Sequence, residues 1–138
     1  MTVLTIIAIL VIALAIYFIV KSMNNYTYEK FSYQFFDESS MFMISIGYLA
    51  VFFGNELYKS ALSSTNGDTL NGAIIIGIGI FLLLIQVLIN FKSTNFIFGL
   101  FGTIIQFVLL VPITVVGLFA LFFAMAFFAE SRPVYNIN

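Results

Sequence analysis

The sequence predicts an all-α fold, a polytopic transmembrane helix bundle of four spans, and three observations carry that prediction. Hydrophobic residues make up 62% of the 138 and charged ones only 8%, with a mean hydropathy of +1.15, far from the usage of soluble domains. Four apolar runs, 3–20, 41–58, 70–91 and 96–129, reach the roughly 20 residues that a helix needs to cross hydrocarbon. Short polar segments separate them, which sets neighbouring helices antiparallel. Together the runs take up most of the chain, so residues 1–138 read as a single transmembrane domain.

The first span, 3–20, could pass for a secretion signal. Nothing basic precedes it, however, and "AIYFIVKSM" (15–23) places bulky residues where a signal peptidase requires small ones. It is expected to be a retained span.

The segment 24–40, "NNYTYEKFSYQFFDESS", is an aromatic interfacial linker. On a helical wheel Tyr28, Phe31, Phe35 and Phe36 share one side while Lys30, Gln34 and Asp37 share the other, the pattern of an amphipathic helix lying at the membrane surface. As a strand, Phe31, Tyr33 and Phe35 alternate with polar neighbours. Either form buries the same rings, in an aromatic belt at headgroup level or in a docking surface for a second subunit. Tyr28, Phe31, Tyr33, Phe35 and Phe36 are the candidate interfacial or partner residues.

The second span, 41–58, follows three candidate N-caps, Asp37, Ser39 and Ser40. Near its far end Glu56 and Lys59, three apart on one helix face, are positioned for an interfacial ion pair. The turn-rich loop "SSTNGDT" (63–69) then offers Asp68 or Thr69 as a cap for the third span.

The third span, 70–91, carries Gly72, Ile76, Gly79, Leu83, Gln86 and Asn90 at steps of three and four, a single face, with Ala73 and Gly77 as an offset small pair. Small residues let another backbone approach, and amides hydrogen-bond across helices. After "NFKSTN" (90–95), the fourth run shows a comparable line of Gly99, Thr103, Gln106, Leu110, Thr114 and Gly117. The expected helix-packing or oligomer interface is therefore Gly72, Gly79, Gln86, Asn90, Gly99, Thr103, Gln106, Thr114 and Gly117. The competing reading puts Gln86, Thr103, Gln106 and Thr114 on the lumen of an oligomeric pore, but pores commonly carry charged rings or dedicated filters.

The run 96–129 poses a length problem, since as one straight helix it would measure about 51 Å against a hydrocarbon core of about 30 Å. Pro112 is the expected kink, because it donates no hydrogen bond and its ring crowds the carbonyl of Val108. A hairpin at "LLVPITV" (109–115) is disfavoured, because no glycine, amide or charge there could satisfy a turn inside lipid.

Chemistry has little to work with. Cysteine and histidine are absent, which removes disulfides, thiolate or imidazole metal sites and histidine-activated nucleophiles. The acids Glu29, Asp37, Glu38, Glu56, Asp68 and Glu130 are scattered or explained by a helix start. No catalytic residue, metal or cofactor is expected, and five basic residues against six acidic ones leave no patch for nucleic acid. Lys21, Lys30 and Lys92 on one side, against Lys59 and Arg132 on the other, favour both termini outside the cytoplasm. The richness in Phe, Ile and Asn fits an AT-rich bacterial or mobile-element gene.

The expected partners are the lipid bilayer, further copies of the chain and a second protein subunit. The expected role is a non-catalytic, homo-oligomeric anchor, scaffold or sensor subunit in the inner membrane, within a prokaryotic defence, immunity or secretion assembly. That assembly class follows from size and build only, and an oligomeric channel for ions or small solutes is the alternative.

Overall fold

A computed structural model describes residues 3–64 and 67–130, except for the side chains of residues 129 and 130. Arg132, which entered the orientation argument, lies outside the described residues, as do the Glu130 side chain and loop residues 65–66. Four helices follow one another: α1 (Val3–Phe31), α2 (Glu38–Ser63), α3 (Leu70–Ser93) and α4 (Phe96–Glu130). All four are long and apolar enough to cross a membrane, and the described residues contain no strand. This is the architecture of a multi-pass membrane protein.

Helix α1 is apolar on every side from Val3 to Val20, passes Lys21 and continues to Phe31. It stops at Ser32, whose φ of 53° is left-handed and whose N–H closes the last turn on the Tyr28 carbonyl at 2.8 Å. Residues 24–40 are therefore neither a surface amphipathic helix nor a strand. Their first part completes α1, 32–37 form a tight return, and α2 begins at Glu38. The cause is a long-range clamp: the Asn24 side chain donates to the Phe36 carbonyl and accepts from the Phe36 N–H, both at 3.0 Å. The chain doubles back and drives Phe35 and Phe36 into the interior, while Tyr28 stays exposed.

Asp37 caps α2, its carboxylate accepting from the Ser40 N–H at 3.2 Å, and Glu38 in the first turn complements the helix dipole. Asp68 serves α3 in the same way, accepting from the Leu70 N–H at 2.8 Å. The closest helix pair is α2 with α3, because glycine meets backbone along the whole contact. A methyl group on Gly79 would stand 2.7 Å from the Gly47 carbonyl oxygen, and one on Gly72 would stand 2.6 Å from the Tyr58 nitrogen. Gly54 lies equally close to Ile76. With lipid on both sides of the comparison, such close packing replaces the hydrophobic drive that holds helices together in water.

Helix α4 runs unbroken through Pro112, so the run is one helix rather than a hairpin. Its first half is packed, with Gly102, Thr103, Gln106, Leu110 and Thr114 buried, whereas from Val115 to Phe128 every residue except Leu118 is exposed. Its first turn lies against the last turns of α1, where Tyr26 and Phe31 contact the Phe98 ring at 5.8 and 5.2 Å. There the aromatic rings and Lys30, 4.5 Å above Phe98, form a collar suited to headgroup level.

Candidate functional site

Among the described residues, the polar side chains inside the bundle concentrate in a cluster where α2, α3, α4 and the 32–37 return meet. Gln86 and Asn90 sit one turn apart on α3, Thr103 and Gln106 one turn apart on α4, Ser40 in the first turn of α2 and Tyr33 in the return. Gln86, Asn90 and Gln106 are 0% exposed.

Asn90 is the hub. Its Oδ1 accepts from the Tyr33 hydroxyl at 2.6 Å and from Gln86 Nε2 at 3.0 Å. Its Nδ2 donates to Gln106 Oε1 at 2.7 Å and to Thr103 Oγ1 at 2.9 Å. Gln86 Nε2 also donates to Ser40 Oγ at 3.0 Å, and Gln106 Nε2 donates to the Phe35 carbonyl. These partners fix the amide orientations, since inverting Asn90 would set donor against donor at Gln86. Among the described residues, Gln86 Oε1 is the one side-chain polar atom buried without a partner.

The cluster is neutral. Burial pushes the Tyr33 hydroxyl above its ordinary value, and hydrogen bonds with Ser40 and Gln86 only partly oppose that, so Tyr33 keeps its proton and donates. No base adjoins a nucleophile, and the described residues hold no group of three or more acids. What the arrangement does is tie three helices and a loop together. Each such bond contributes about 0.6–2 kcal/mol in a membrane, more when its loss strands a buried partner.

Around this hub, the far edge of the Phe35 ring abuts Gly102, where any side chain would strike it, and the ring packs edge-on to Tyr33 at 5.3 Å. Lower in the bundle Ser45 and Thr114 share a hydrogen bond of 2.9 Å, and the Tyr48 hydroxyl donates to the Phe107 carbonyl at 2.9 Å.

The structure thus gathers Gln86, Asn90, Thr103, Gln106, Tyr33 and Phe35 into one site, with Phe36 beside it. Gly72 and Gly79 are buried against α2, Gly99 faces the Phe91 ring, and Thr114 is buried against Ser45. Gly117 belongs to no contact, having open space where a side chain would go. Tyr28 points away, and Phe31 joins the collar on Phe98. Glu56 and Lys59 form a 3.2 Å ion pair that is exposed and remote from the cluster.

Four contributors escaped the sequence reading. Gly47 and Gly54 had a usable signal, a spacing of seven that matches Gly72 and Gly79 opposite them. Ser40 was read as a cap only, and the Asn24 clamp joins residues twelve apart without any local periodicity. Comparison with protein-family models, with curated protein sequences and with solved structures returns no match for this chain.

Proposed function

We propose that this chain is a non-catalytic integral membrane protein that serves as a homo-oligomeric anchor or scaffold subunit of a larger membrane assembly. The observation that carries this reading is the closure of the polar cluster on itself within one chain. Gln86, Thr103 and Gln106, the residues that a pore would turn toward water, spend their hydrogen bonds on one another and on the Phe35 return. That leaves the surface of the spans largely apolar, a build suited to holding position in a bilayer rather than to conducting. The inner membrane of a prokaryote, with both termini outside, and a defence, immunity or secretion assembly are the setting proposed for it, the latter on size and build alone.

Two measurements on the purified protein test the proposal. Mass determination in detergent or nanodiscs, with crosslinking in membranes, should give a multimer or a co-purifying protein. Liposomes carrying the chain at high density should stay tight to ions and small dyes. A flux that changes on Gln106→Leu would replace the scaffold reading by the channel.

A further inference from the structure

The three interior amides form a relay with a direction. At one end stands the Phe35 carbonyl, which can only accept, and it takes a proton of Gln106 Nε2. That turns Gln106 Oε1 toward Asn90 Nδ2, 2.7 Å away, and in turn sets Asn90 Oδ1 toward Gln86 Nε2 at 3.0 Å. Reversing any one amide would oppose oxygen to oxygen or nitrogen to nitrogen, and reversing all three would press Gln106 Oε1 on the Phe35 carbonyl. The polarity is therefore fixed from the 32–37 return. Its consequence falls at the far end. There Gln86 Nε2 has two protons for three acceptors, Asn90 Oδ1, Ser40 Oγ at 3.0 Å and the Tyr33 hydroxyl at 3.3 Å, while Oε1 is left without a donor.

Amides aligned head to tail polarise one another, so the last oxygen of the relay is a better acceptor than that of an isolated amide. Gln86 is 0% exposed, which puts Oε1 out of reach of a lipid headgroup or another chain, and an acceptor buried without a donor loses its hydration for nothing in return. We propose that Gln86 Oε1 is the seat of one bound water molecule, enclosed in the bundle and held between this oxygen and the Ser40 hydroxyl. Ser40 is buried and bonded to the nitrogen of the same amide, so its oxygen lies within one water's reach of Oε1. Its bond to Gln86 uses a lone pair and leaves its own proton to give. A water both donates and accepts, and so serves the two groups together. A cation would need several oxygens at once, and the other amide oxygens of the cluster, on Asn90 and Gln106, already accept from nitrogen. For the same reason the site takes a single molecule and not a file of them.

Two measurements on the full chain in lipid test this. A crystal or cryomicroscopy map fine enough to resolve ordered water should carry a peak about 2.7–3.0 Å from Gln86 Oε1 and within hydrogen-bond reach of Ser40 Oγ. In water-edited solid-state NMR, magnetisation from water should build up several-fold faster on the Gln86 side-chain amide than on that of Gln106, which ends on the Phe35 carbonyl. Ser40→Ala keeps the backbone N–H that Asp37 caps and should abolish that difference, whereas Thr103→Val, which removes only an acceptor of Asn90, should preserve it. A map that is dry at Oε1, or equal build-up on the two amides of the wild type, overturns the water site. A Gln86 amide found inverted, with Oε1 toward Asn90, overturns the relay as well.

Discussion

Replacing Gly79 by alanine adds one methyl group at a tight point of the α2–α3 contact, and the structure fixes what it meets. The new carbon would lie 2.7 Å from the Gly47 carbonyl oxygen, 2.8 Å from Val51 Cγ2 and 2.9 Å from the Val51 nitrogen. Two of the three are backbone atoms that cannot rotate aside, so the helices must separate by about half an ångström or more. A gap of that size forfeits about a quarter to a half of the dispersion well for the atoms that line it, and overpacking a filled interior typically costs about 1–3 kcal/mol. Against this stands the gain in helix propensity from glycine to alanine, about 1 kcal/mol. With two unyielding backbone atoms in the contact the cost belongs to the upper half of that range, so the net expectation is a loss of about 1–2 kcal/mol, and Gly79→Leu should lose more. At roughly 3–5 °C per kcal/mol for a chain of this length, the midpoint should fall by about 3–10 °C. Gly77→Ala is the matched control, because nothing stands within 4 Å of its new carbon, so only the propensity gain remains and the midpoint should hold or rise. Thermal melts by circular dichroism in detergent suit a chain without tryptophan. Equal midpoints for the two variants would refute the argument, since the only difference invoked is the opposing backbone.

Asn90→Leu removes four hydrogen bonds at once and should destabilise the fold by about 2–4 kcal/mol; measured in a double-mutant cycle with Gln106→Leu, the two losses should be clearly less than additive. Phe35→Ala empties a fully buried site and should cost about 3–5 kcal/mol while raising protease sensitivity in 32–37, whereas Tyr28→Ala, on the exposed side, should leave both readouts near the wild type. Because burial raises the Tyr33 pKa, its contribution to stability is complete below the ordinary tyrosine value of 10.0 and is lost as pH rises through the folded value. A titration of the melting midpoint above pH 10 should therefore fall less steeply in Tyr33→Phe than in the wild type, and identical slopes would remove Tyr33 from the account.

The four-span fold was legible because the bilayer imposes a length and a polarity that any sequence must meet locally: runs of about 20 apolar residues can be counted without knowing what they touch. The steps of three and four from Gly72 to Asn90 likewise define one α3 face from spacing alone. Which helix that face meets is a different kind of information. Gly47 and Gly54 of α2 hold the answer, but they are interleaved with Tyr48, Phe52 and Phe53 in a span whose aromatic residues dominate any pattern. The 32–37 return was opaque for a stronger reason, since Asn24 binding the Phe36 backbone depends on the chain folding back, and a wheel drawn through 24–40 presumes that it does not. Gly117 marks a different limit: it continues the period of Gly99 and Gln106, but within the chain the hydrogen-bonded partners end at Thr114, and a period cannot see where its neighbours stop.

How the four spans are held together follows from what lipid withholds. Apolar contact gives no net drive between helices when the alternative is an equally apolar acyl chain, so each attachment must come from close backbone packing or from hydrogen bonds. Helices α2 and α3 have the first, through four glycines. Helix α4 has the second, through Thr103, Gln106 and Thr114. Helix α1 is exposed over its apolar length, from Val3 to Ile19, except at Ile16. Its contacts with the rest of the bundle gather toward its far end, where Val20 and Met23 pack on the core, Asn24 clamps Phe36, Thr27 is buried, and Tyr26 and Phe31 grip Phe98. The half of α4 beyond Thr114 is likewise exposed up to Phe128, except at Leu118. Asn90 and its partners thus hold α2, α3, α4 and the 32–37 return as one unit, and α1 joins that unit through the Asn24 clamp and the aromatic contacts with Phe98.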